Sequence, residues 1–275
     1  MAEPGRCVTV RVLGPVDVSV DGSPVAVPAP ELGLIVALVL ADGHAVTAAS
    51  LVDALWGESP PPQATARLPG LVASLCGTLA SAGADPDAVR AEAGGYRLAS
   101  AAEPDITAFD RLVNDARTCA AGGRLEDCAR AYRSALALWR GAALAELTAA
   151  FAELEAARLE ELRLCVLEER LDVDLKLGRH GAVVEELSGL VSEHPRRERL
   201  RAQLMLALYR CDRGDDAIAV YQAAGDFLQE PGVRLRQLHL ALLSGHPSLQ
   251  PPKRVSNNRH PDGRECGSAE DRRRP

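Results

Sequence analysis

A chain of 275 residues, 47% hydrophobic and 25% charged with a formal net charge of −7, is long enough for two soluble domains of ordinary size, each with its own core. The acidic balance argues against an avid, strongly basic nucleic-acid binder. The one long apolar run, LGLIVALVLA from Leu32 to Ala41, is far shorter than the roughly 20 residues that span a bilayer, so no membrane association is expected.

In chain order, the start MAEPGRCVTV has no basic stretch followed by an apolar one, so no secretory signal is expected and the cytoplasm is the default. Residues 8–28, VTVRVLGPVDVSVDGSPVAVP, alternate apolar and polar with period two, and Asp21-Gly22 supplies the turn of a small antiparallel sheet. Leu32 to Ala41 is expected to form a buried helix. A second starts behind the capping hydroxyl of Thr47, turns Leu51, Val52, Leu55 and Trp56 inward, and stops at Gly57 and the prolines that follow. AVRAEAGGYRLAS gives two short strands around Gly94-Gly95. Sheet, helix, helix, turn, helix, hairpin is the order of a winged helix-turn-helix with an N-terminal β-platform, assigned to residues 1–100.

Residues 101–249 have helical periodicity throughout. RLEDCARAY (124–132), RHGAVVEEL (179–187) and RGDDAIAVY (213–221) echo one another, the last two 34 residues apart, which is the tetratricopeptide period. The segment from Leu144 to Leu177 is too long for one such helix pair. Residues 250–275 hold little to bury and read as a disordered tail. The fold class is therefore mainly α: a winged helix with a small antiparallel platform and wing, then a tetratricopeptide-like domain.

Seven cysteines without a C-x-x-C pair argue against a zinc site or a disulfide framework. The six histidines lack ligand spacing, and no Gly-rich phosphate-binding motif is present, so no cofactor is expected and nothing points to an enzyme. Trp56, Trp139 and Tyr96 read as core residues. Arg196, Arg197, Arg199 and Arg201 form the best candidate surface for an acidic partner.

VTVRVLGPVDVSVDG, LVDALWGESPPPQATAR, GGYRL, ALALWRGAAL and RLEELRLCVLEERLDVDLKLGRHGAVVEELSGLVSEHPRRERLRAQLMLALYR together resemble the Streptomyces antibiotic regulatory protein family. That resemblance implies a transcriptional regulator whose OmpR-type winged helix binds double-stranded promoter DNA. It implies a bacterial transcriptional activation domain that supports homo- or hetero-association with related regulators and contacts RNA polymerase, as in activators of antibiotic gene clusters.

One segment departs from the family pattern. Where relatives continue -ATAR- with an Arg- and Lys-bearing helix, this chain reads LPGLVASLCGTLAS, with no Arg, Lys or His between Leu68 and Val89. A helix begun at Gln63 is expected to break near Pro69, which lacks a backbone donor and clashes with the preceding turn at about 3 kcal/mol. A helix begun at Pro69 escapes that penalty and has Leu71, Val72, Leu75 and Leu79 on its inner face. The candidate DNA contacts are Thr65, Arg67, Ser74, Thr78, Arg90 and Arg97, few enough to give weak binding. The competing function is a tetratricopeptide-like interaction protein with a vestigial winged helix, modulating a related regulator or RNA polymerase without reading DNA.

Overall fold

The computed structural model describes residues 7–92, 94–99 and 102–250; the expected tail lies almost wholly outside these residues. Strands β1 (Val8–Arg11), β2 (Asp17–Val20) and β3 (Ser23–Pro24) form an antiparallel meander with Val8 opposite Val20. Asp21 and Gly22 both have positive φ (46° and 79°), as a two-residue hairpin turn requires. Helix α1 (Ala29–Leu40) starts earlier than its apolar run, because Pro30 stands in the first turn, where a missing N–H is not needed. Strand β4 (Val46–Thr47) leads into α2 (Ala48–Trp56), and the Thr47 hydroxyl caps it by accepting from the Ser50 N–H at 3.1 Å.

Helix α3 runs unbroken from Ala64 to Ser81 with Pro69 inside it, so both the break at Pro69 and the later start are corrected. Tertiary burial overrides the local penalty here. Leu68, Leu75 and Leu79 are fully buried, with Ala64 and Val72 close behind. Each leucine contributes about 1.5–3 kcal/mol on burial, together more than the roughly 3 kcal/mol lost to proline. Thr65, whose carbonyl loses its donor, is exposed, as are Pro69 and Gly70, so water can satisfy that oxygen. Leu68 takes the inner place assigned to Leu71, which is only partly buried.

The wing pairs β5 (Val89–Glu92) with β6 (Gly95–Leu98), and β6 also pairs with β4, giving the order β4-β6-β5. A Cβ at Gly95 would stand 2.1 Å from the Val46 carbonyl oxygen, so this close strand approach admits only glycine.

Helices α4 (Asp105–Ala121), α5 (Leu125–Leu136), α6 (Ala152–Lys176), α7 (His180–Glu193), α8 (Glu198–Tyr209), α9 (Gly214–Gln222) and α10 (Val233–Ser244) follow. The three echoed segments open α5, α7 and α9. Arg124, Arg179 and Arg213 stand at the N-caps of these helices, each behind a residue of positive φ, Gly123, Gly178 and Asp212. Their N–H groups donate back to the carbonyls of Cys119, Asp174 and Leu208, so one turn geometry recurs in every repeat.

Hydrophobic packing is continuous across residue 100, joining the winged helix, α4, α5 and most of α6, while a second cluster fills the stack from the end of α6 to Leu249. Two devices hold the junction. The buried Asp105 carboxylate accepts from the Val12 N–H at 2.8 Å and the Leu13 N–H at 3.0 Å. The irregular segment 139–151 forms a strap: the Arg140 N–H donates to Leu13, Leu144 to Val12 and Phe151 to Ala54. Trp139 is core, as expected, but lies beyond the end of α5, edge-on to Phe109 at 5.8 Å. The excess length from Leu144 to Leu177 is therefore strap plus one long helix.

Replacing Asp105 with alanine leaves two buried N–H groups without an acceptor, at about 1–3 kcal/mol each. Urea unfolding of Asp105→Ala is expected to show a loss of about 2–5 kcal/mol; a loss under about 1 kcal/mol would contradict the junction described. Conversely, Pro69→Ala and Gly77→Ala are expected to stabilise the chain, by up to about 3 and about 1 kcal/mol respectively, measured the same way. A neutral or destabilising result at both positions would count against a helix continuous through Pro69.

Candidate nucleic-acid interface

The outward side of α3 carries Thr65, Ala66, Arg67, Gly70, Ala73 and Gly77, all exposed. A Cβ at Gly70 or Gly77 would meet nothing within 4 Å, so this face is open and nearly smooth. The Arg67 guanidinium is free of hydrogen bonds and ion pairs among the described residues. The hydroxyls of two other candidates are already bound to protein groups. The Ser74 hydroxyl donates to Glu31 Oε1 at 2.7 Å, and the Thr78 hydroxyl donates to its own helix at the Ser74 carbonyl, 3.1 Å away.

Strand alternation decides the wing. Val89, Tyr96 and Leu98 turn toward the core, so Arg90, Glu92 and Arg97 point outward. Arg90 and Arg97 are directly opposite each other across the ladder, a like-charge pairing that disfavours the strand contact and so favours an anion outside it. Arg97 Nε donates to Glu92 Oε1 at 2.6 Å, a half-exposed pair, while Arg90 has no partner among the described residues. Ala93 lies outside those residues. The structure thus brings Thr65 and Arg67 onto one open helix face and Arg90 and Arg97 onto one strand face, and it engages the hydroxyls of Ser74 and Thr78 in bonds within the protein.

Elsewhere the arginines are mostly matched. Asp174, only 1% exposed, accepts from Arg133, Arg170 and Arg179. Burial raises its pKa, but the hydrogen bonds from Arg179 and Arg170 outweigh that and hold it below the ordinary aspartate value. Of the four arginines expected to form an open surface at the start of α8, Arg196 alone is exposed and without a partner among the described residues, so the patch is reduced to one free cation. Arg197 is bound to Glu168 and Glu161, Arg199 to Asp172, and Arg201 is 2% exposed and donates to the Pro195 and Val220 carbonyls. Sequence order hides these matches because the carboxylates of Glu161, Glu168 and Asp172 lie far upstream on α6.

A family model described as the bacterial transcriptional activator domain matches residues 104–243. The chain is 39% identical over 246 residues to the regulatory protein AfsR of Streptomyces coelicolor, covering 86% of this chain and 24% of that protein. It is 36% identical over 225 residues to the regulatory protein DnrI of Streptomyces peucetius, covering 77% of this chain and 83% of that protein. The solved structure of Mycobacterium tuberculosis EmbR in complex with a low-affinity phosphopeptide superposes with a TM-score of 0.82 at 33% identity, covering 88% of this chain and 66% of that chain. The chain thus spans about a quarter of AfsR and most of DnrI.

If the open side of α3 faces a duplex, Ala73→Arg and Gly77→Arg place new cations on it without steric conflict. Each further phosphate neutralised is expected to tighten binding of a random duplex roughly eightfold at about 0.1 M salt. Fluorescence anisotropy measures this directly, and unchanged affinity in both variants would mean that this face points away from DNA.

Proposed function

The chain belongs to the Streptomyces antibiotic regulatory protein family of transcriptional regulators, and from that membership we propose that it is a cytoplasmic, non-enzymatic activator of a biosynthetic gene cluster. In this reading it engages double-stranded promoter DNA through the outer face of α3 and the wing. Arg67 and Arg90 contact phosphates, Arg97 contributes when it leaves Glu92, and Thr65 lies close to the backbone of the duplex. Ser74 and Thr78 act indirectly, by tying α3 to α1 and to its own preceding turn. The small residues of α3 let the helix approach the groove closely, although none of them reads a base edge as arginine or asparagine does. Sequence selectivity then derives from groove shape, from self-association on repeated half-sites, or from RNA polymerase held by the helical repeats. No helix among the described residues is long and apolar enough to cross a membrane.

The observations that carry this reading are the uncovered outer face of α3 and the opposed, outward Arg90 and Arg97 of the wing. The shortage of free cations favours a second reading, in which the chain acts as a tetratricopeptide-like partner of an intact relative or of RNA polymerase and does not read DNA itself.

Anisotropy of the full chain with duplexes from the region upstream of its own gene, against random duplex, separates the two. The first reading expects preference for the upstream duplex and a loss of roughly eightfold at about 0.1 M salt in each of Arg67→Ala and Arg90→Ala. An absence of binding even at low salt, with association to an intact relative retained, supports the second.

A further inference from the structure

Two adjoining hollows, of about 400 Å³ and about 210 Å³, share Pro30 and Trp56 beside α3. The larger is walled by Trp56, Leu71 and Pro30, is left open at Gly70, and carries both Glu31 and Arg67. The smaller continues past Leu55 to Ala149 of the strap. Apolar walls with a few convergent polar groups are the ordinary form of a small-ligand site.

The polar groups define what fits. Glu31 is 8% exposed, and one carboxylate oxygen accepts from Ser74; the other has no partner among the described residues, and no cation pairs with the side chain. A buried carboxylate normally has a cation or several donors. Arg67, on the same hollow, lacks an anion. A purely anionic ligand would confront Glu31, and a purely cationic one would confront Arg67. The complement to both is a small zwitterion with an apolar body.

We propose that this hollow binds a free α-amino acid with an apolar side chain. Its ammonium group donates to Glu31, its carboxylate accepts from Arg67, and its side chain lies against Trp56 and Leu71, with the second hollow accommodating a longer side chain. A residue inside a peptide has neither charge and does not satisfy the site. Occupancy draws Arg67 away from phosphate, so the amino acid weakens DNA binding to the extent that Arg67→Ala does, roughly eightfold at about 0.1 M salt. This consequence for DNA rests on the first reading of function; the binding itself does not.

Isothermal titration calorimetry of the full chain with L-leucine and L-phenylalanine tests the site without DNA, with L-leucinamide and N-acetyl-L-leucine as single-charge controls. The amino acids are expected to bind at millimolar or lower concentration. Each control, and each of Arg67→Ala, Glu31→Gln and Gly70→Leu, is expected to weaken binding by about tenfold or more. Arg67→Ala and Gly70→Leu alter exposed positions and decide the matter if Glu31→Gln fails to fold. No heat of binding at millimolar amino acid, or binding indifferent to Arg67→Ala and Gly70→Leu, overturns the site. Binding that leaves DNA anisotropy unchanged overturns the coupling, whereas a ligand-free chain that ignores DNA counts against the first reading of function and leaves the site standing.

Discussion

Charge matching along α6 fixes how the helical repeats stack. This helix presents Glu161, Glu168, Glu169, Asp172 and Asp174 to arginines from both sides of the stack. Arg117 from α4 takes Glu169, Arg133 from α5 takes Asp174, Arg179 from the N-cap of α7 takes Asp174, and Arg197 and Arg199 at the start of α8 take Glu161, Glu168 and Asp172. A buried carboxylate such as Asp174 is tolerable only with such partners. The same matching leaves few cations free: among the described residues the arginines without a partner are Arg67, Arg90, Arg196 and Arg234. Two of these lie on the winged helix, on the surfaces that the proposed function uses.

The second constraint is mechanical. Asp105 opens α4 and simultaneously receives the backbone of the segment that leaves β1, so the first residue of the helical repeats is also a structural part of the platform. The strap then returns from the end of α5 to the end of α2. A Cβ at Gly33 would stand 2.9 Å from Leu55 and 3.1 Å from Ala149, which shows how tightly α1, α2 and the strap converge. Through these contacts, what docks on the repeats and what docks on α3 act on one connected core rather than on two units joined by a flexible linker.

Much of this was legible in the sequence. Asp21-Gly22, the Thr47 cap and the order of elements follow from turn chemistry and periodicity, which act over a few residues. The echoed Arg-containing segments mark the openings of α5, α7 and α9 because one turn geometry recurs there. Three features escaped for a physical reason. The continuity of α3 through Pro69 is decided by burial of Leu68 and its neighbours against α1 and α2, a tertiary effect larger than the local penalty. The strap has no period to detect. The arginines at the start of α8 look like an open patch in sequence, because the carboxylates that neutralise Arg197 and Arg199 are supplied from another helix and only Arg196 is left free. At the candidate interface, sequence identified the scarcity of positive charge; only the fold shows that the Ser74 and Thr78 hydroxyls are bound within the protein and that Arg90 and Arg97 oppose each other.

The slope of duplex binding by the full chain against salt counts the phosphates neutralised, and so shows whether so few free cations hold DNA. With Arg67 and Arg90 engaged, and Arg97 at most in addition, log Kobs against log salt is expected to fall with a slope of about −2 to −3 per protomer. A slope of about −5 or steeper would require cations that the proposed surface does not present, and would contradict the proposed mode of DNA binding.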